Sequence, residues 1–167
     1  MREKFIELYQ YNWWANTRVL HEIDGLTDDE FAADLGGSFS SISQTINHIL
    51  WVEWLFLKRW NGLSTEDIIT PFNLKKEELG ISREELQQQQ NAYFQALKEP
   101  ALDDPLQYLD SKGQPVTILL WQAIMQGINH STFHRGQIVA KFRQLGKMPP
   151  LTDFIRYCRE MEEKQDD

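Results

Sequence analysis

The chain of 167 residues has one cysteine, no concentrated run of lysine and arginine, and no apolar run near the roughly 20 residues that span a bilayer. A lone Cys158 excludes an intrachain disulfide and a cysteine-based metal cluster. The net charge of −8 argues against nucleic acid, because phosphate binding needs a basic face that displaces counterions. A small anionic ligand in a local pocket is still compatible with that charge. The opening "MREKFIELYQ" is charged and periodic, without the apolar centre of a signal peptide. These absences point to a cytoplasmic protein that has no membrane partner. What is present is the ordinary balance of a soluble chain, 41% hydrophobic and 25% charged, enough for one core in a single domain over residues 1–167.

Helical spacing dominates. Phe5, Leu8, Tyr9, Val19 and Ile23 recur at helical intervals, with Asn12 and Asn16 in the same stripe. Gly25 suits a stop, and "TDDE" (Thr27 to Glu30) has the form of a capping box opening a short helix. After "GGSFSS", the run "SSISQTINHILWVEWLFLKRW" over about 40–60 is apolar nearly all round, the mark of a buried helix. Asn61 to Gly80 is polar, contains Pro71 and reads as a long connection. "SREE" (Ser82 to Glu85) is a second capping box and predicts a third main helix ending before Pro100. Short alternating pieces on either side of "DSKG" fit a small hairpin. A fourth main helix over about 117–145 is closed by Gly146 and "MPP", and a last one covers about 152–163. Four main helices without a convincing sheet predict an all-α four-helix bundle with an extra C-terminal helix. The uneven loops leave the order of its helices open.

The stretch "NHSTFHRGQI" places His130 and His134 about 40° apart on one helix face. Leu120, Ala123, Gly127, Ile138 and Leu145 share that face, so it should point inward, with small residues admitting a neighbouring helix. Two histidines at i and i+4 can offer two nitrogens to one metal, as in H-E-x-x-H helices. Ser131 stands where that motif has its glutamate, so zinc-protease chemistry lacks its base. Of the two other histidines, His21 lies about 160° from the apolar stripe of its helix and should face solvent. His48, in "INHILWVEW", is crowded by apolar groups and would be costly to bury unless both nitrogens found partners. It is the better third ligand. The competing reading is that all three histidines are hydrogen-bonded core residues, and spacing does not decide between the two.

"YNWWANTRVL", "SISQTINHILWVEWLFLKRW", "INHSTFHRGQI" and "VAKFRQLGKMPP" together resemble the DinB/YfiT family of metal-dependent enzymes, in sequence and in order. The resemblance spans most of the chain, with no usable signature in 61–116. It implies a four-helix bundle of non-sequential helix order, commonly a homodimer. It also implies a divalent metal, nickel or zinc, held by three histidines that map onto His48, His130 and His134. Some relatives use a low-molecular-weight thiol such as bacillithiol, mycothiol or glutathione in transfer or isomerisation reactions.

Other polar residues carry weaker expectations. Asn12 and Asn16 could orient a ligand histidine or bind substrate, or could tie the core together. Glu53 could act as a catalytic base or orient a histidine; an ion pair with Lys58 or Arg59 is its blander role. Arg135 could bind a substrate carboxylate, with an inter-helix salt bridge as its default. The functional expectation is an enzyme whose three-histidine site activates a thiol or water toward a small-molecule substrate, in the manner of a thiol S-transferase. The alternatives are a metal-dependent hydrolase and a non-catalytic, dimeric metal- or ligand-binding module, with Glu53 as a conceivable fourth ligand.

Overall fold

The computed structural model describes residues 1–65, 71–110 and 112–164. Helix α1 (Arg2–Asp24) carries the predicted stripe inward: Phe5, Tyr9, Asn12, Asn16, Val19 and Ile23 are all buried. The short α2 (Asp28–Ala32) opens with the predicted capping box, Glu30 N–H donating to Thr27 Oγ1 at 3.2 Å and Thr27 N–H to Glu30 Oε2 at 2.9 Å. Helix α3 (Ile42–Trp60) is capped by Ser41, whose Oγ accepts from Gln44 N–H at 3.0 Å. Ile42, Ile46 and Ile49 on it are wholly buried, each contributing about 1.5–3 kcal/mol from water exclusion.

Two boundaries differ from expectation. Helix α4 (Lys76–Ala96) begins six residues before Ser82, inside the stretch expected to be a connection. Its first turn is secured by Glu78, whose carboxylate accepts Lys75 N–H at 2.7 Å, and by buried Leu79. "SREE" therefore lies within the helix and caps nothing. The rest of the expected connection includes 66–70, which lie outside the described residues. Helix α5 (Leu120–Gln144) starts at Leu120 because 115–119 form a strand instead.

That strand, β2 (Pro115–Leu119), pairs antiparallel with β1 (Pro105–Leu109) in the register Gln107 to Thr117. This is the expected hairpin. Asp110 closes it, its Oδ1 accepting from the backbone N–H groups of Lys112 and Gln114, both at 2.8 Å. Gly113 takes φ 72°, a left-handed position open to glycine. Ser111 of that turn lies outside the described residues. A short 3-10 segment (Glu99–Asp103) precedes the hairpin, and α6 (Phe154–Glu163) packs Tyr157 against Tyr11 of α1.

The main helices are α1, α3, α4 and α5. α1 packs on α4 and α5, and α3 also packs on α4 and α5. α1 and α3 are thus diagonal, and the bundle order is non-sequential. No described helix is long and apolar enough to cross a membrane. α5 approaches α1 closely at Gly127, where a Cβ would stand 2.6 Å from the Tyr9 hydroxyl. The Tyr9 ring in turn fills the core, centroid 5.4 Å from Trp60 and 4.6 Å from Phe94.

Candidate metal centre

The α3–α5 seam is the most extensive helix contact in the bundle, and it brings His48 of α3 to His130 and His134 of α5. His48 Nε2 and His130 Nε2 stand 3.1 Å apart. One ring nitrogen from each of the three histidines lies within 4.8 Å of the others. Two nitrogens bound tetrahedrally at about 2.0–2.1 Å would be about 3.3 Å apart, so the short pair already has the spacing of adjacent ligands.

The surroundings set the rings' protonation. His134 is buried, and its Nδ1 lies 2.9 Å from Gln137 Oε1. An Nδ1–H donated to that oxygen leaves the Nε2 lone pair free for a cation. His130 Nδ1 is buried without a partner, so the bonding of that ring rests on Nε2. Burial, with the neighbouring His134, pushes His48 down to about 4; burial, His134 and His48 push His130 down to about 4 as well. Both rings are therefore neutral at ordinary pH, the form that ligates. Phe39, on the loop before α3, lies against this cluster, its ring centroid 4.3 Å from that of His48 and 5.5 Å from that of His134. Three imidazoles whose ring nitrogens converge suit a divalent metal that accepts nitrogen, and these residues could hold one.

Glu53 does not join this cluster. It is 2% exposed, and its Oε1 accepts from Asn12 Nδ2 at 2.7 Å, Asn16 Nδ2 at 2.9 Å and Ser131 Oγ at 2.7 Å. Gln90 Nε2 reaches its other oxygen at 3.3 Å. Neither Lys58 nor Arg59 pairs with it; Arg59 instead donates to the Leu109 carbonyl at 3.1 Å. The counter-charge is Arg135, 1% exposed, whose Nη1 donates to the side-chain oxygens of Asn12 and Asn16 and whose Nη2 donates to Thr132 Oγ1. Two amides thus relay between a buried cation and a buried anion. Burial lowers the Arg135 pKa, while Tyr11 and Glu53 oppose that shift. His21 is at the surface, its side chain 83% exposed.

Sequence reasoning missed Phe39, Gln137, Ser131 and Gln90 as neighbours of these groups. Gln137 had a signal: it follows His134 by three residues, which places it over the same face. Phe39 had none, since nothing local says where a loop residue folds back.

A helical bundle with three histidines converging across one seam is a bundle protein with a metal-type site. The DinB family model matches residues 1–166, and the chain belongs to the DinB family. It is 22% identical over 165 residues to Protein DinB of Bacillus subtilis (strain 168), across 94% of this chain and 95% of that protein. A crystal structure of a DinB-like protein from Bacillus cereus ATCC 10987 matches with a TM-score of 0.67 at 19% identity, over 89% of this chain and 95% of that one. That likeness supports the fold.

Proposed function

We propose that this chain is a metal-dependent enzyme in which His48, His130 and His134 hold nickel or zinc, activating a low-molecular-weight thiol or water toward a small-molecule substrate. The carrying observation is that three imidazoles converge from two helices, with no fourth cysteine, histidine or carboxylate beside them among the described residues. A divalent metal held there would lower the pKa of a bound thiol or water and supply a nucleophile near neutral pH. The chain's own residues do the positioning. Gln137 fixes the His134 tautomer, and Phe39 packs against the imidazoles. Asn12, Asn16, Glu53 and Arg135 hold α1, α3 and α5 together beside the site, as positioning residues.

Thiol transfer is favoured over hydrolysis because Glu53, the one carboxylate considered as a base, has both oxygens engaged by protein donors. The test is turnover by nickel- or zinc-loaded protein supplied with bacillithiol or glutathione and an aryl halide or epoxide. A rate at least about a hundredfold above that of His48→Ala is expected, a difference of about 2.7 kcal/mol in barrier. Equal rates for the two proteins would sink the proposal. Turnover of esters without thiol would support the hydrolase, and four protein donors by X-ray absorption would support a non-catalytic module. A homodimer belongs to the same proposal, with exposed Met148, Leu151 and Ile155 as apolar surface for it. Sedimentation of the full chain reads it.

A further inference from the structure

Beside the histidines, under the loop that leads into α3, lies a cavity of about 280 Å³ lined by Gly36, Gly37, Phe39, Gln137 and Lys141 among others. Two of its walls belong to the metal-type site: Gln137 bonds His134, and Phe39 packs on His48. Lys141 is its charged wall. It is only 5% exposed, yet no carboxylate among the described residues pairs with it. Its Nζ donates to two backbone carbonyls, Gly36 O at 2.6 Å and Ser40 O at 3.2 Å. Gly36 and Gly37 make that approach possible with consecutive left-handed φ values of 74° and 91°. Dipoles alone face this ammonium, whereas buried charges are ordinarily paired. An ammonium has three donors, and two are used.

We propose that this cavity is the subsite for a carboxylate-bearing end of the substrate or thiol, with Lys141 as its counter-charge. The proposal deepens the metal-site reading and rests on it for the reacting end of the molecule. Seven residues separate His134 from Lys141, roughly 10 Å along the helix and nearly the same face. The lysine stem leans toward the helix N-terminus, which shortens that span. A flexible molecule with a thiol at one end and a carboxylate several bonds away has the matching shape. The acidic chain as a whole, at net charge −8, would otherwise repel such an anion, so a buried local cation is what selects it.

The experiment titrates the 15N-labelled full chain, metal-free and zinc-loaded, with 6-mercaptohexanoate and with uncharged 6-mercaptohexan-1-ol. The amide signals of Gly36 and Gly37 report the subsite; the thiolate absorption band of cobalt-loaded protein reports the metal end. The acid is expected to shift both glycines with or without metal, and the alcohol to shift neither. Lys141→Gln should weaken the acid about tenfold or more, the size of one charge-assisted hydrogen bond, with Lys141→Arg restoring it. Equal responses to acid and alcohol, or an acid affinity unchanged in Lys141→Gln, would overturn the subsite. Should Lys141→Gln fail to fold, the acid–alcohol contrast in the parent and in Lys141→Arg decides alone. Glycine shifts with acid in a chain that takes up no metal would support the subsite while removing the metal reading.

Discussion

Around Glu53, donors and acceptors are nearly matched: four side chains donate to one carboxylate, and two of them accept from one guanidinium, whose Nε is the atom left without a partner. Around His48, on the same helix α3, the pattern inverts: three ring nitrogens face one another, and His130 Nδ1 is buried without a partner. Both clusters pay desolvation. The first recovers most of it within the protein, through at least six side-chain hydrogen bonds that fix how α1, α3 and α5 pack. The second is left short of a cation, which is the condition for binding one. Bonding completeness, more than residue type or burial, separates the structural polar cluster from the candidate functional one.

The contrast breaks most visibly at Glu53. Glu53→Ala leaves Arg135 buried without its counter-charge, and a loss of about 3–5 kcal/mol in urea unfolding is expected. A loss below about 1 kcal/mol would mean the network does not hold the helices together. His48→Ala should behave in the opposite way. Metal-free stability should change by no more than about 1 kcal/mol, because the ring is half-buried and poorly bonded. Zinc affinity by calorimetry should fall by more than about a hundredfold, beyond the 10–100-fold typical of losing an outer partner. Large destabilisation with unchanged zinc binding would reassign His48 to the core.

These two clusters were not equally legible in the sequence. The helices of the bundle, the Thr27 capping box and the hairpin are local patterns and can be read from spacing alone. The start of α4 could not, since its first three residues are charged, Gly80 follows its first turn, and it lacks a Ser, Thr, Asp or Asn cap; Glu78 bonds the backbone of Lys75 instead. The start of α5 was placed early, at about 117, because Ile118 to Trp121 run on without a turn signal, and a short continuous apolar run is common to strands and helices. His130 and His134 announce themselves by their one-turn spacing, and His48 by an apolar setting. Their meeting depends on α3 lying beside α5, a non-sequential arrangement that the residues left open and the family resemblance implied. Glu53 looked for a cation nearby in sequence, whereas its counter-charge arrives from α5 through amides on α1.

Gln137 sharpens the comparison on the metal side, because among the described residues it is the one hydrogen-bond partner of the cluster's most buried ring. Gln137→Ala frees the His134 tautomer without removing a ligand. The expected result is zinc affinity lower by about 10–100-fold with near-parent unfolding behaviour. Gln137→Glu, which keeps an acceptor at the same place, should restore most of the affinity. Affinity unchanged in Gln137→Ala would show that packing alone orients His134.

The gentlest test varies only pH, in metal-free protein. His48 and His130 titrate near 4 when folded and near about 6.5 when unfolded, so between those limits the unfolded chain binds more protons. Their depressed folded pKa values therefore contribute stability that is complete above about 6.5 and is lost as pH falls toward 4. Carboxylates held low by their partners, Glu30, Glu99 and Asp110 among them, act in the same direction but below their ordinary values of 4.5, 4.5 and 3.8. The window from 6.5 to about 4.5 thus isolates the imidazoles. Urea midpoints should decline across that window in the parent and stay nearly flat in a His48→Ala, His130→Ala double variant. An equal decline in both proteins would mean that these rings carry no burial penalty, and the underbonded cluster would lose its distinction from the satisfied one.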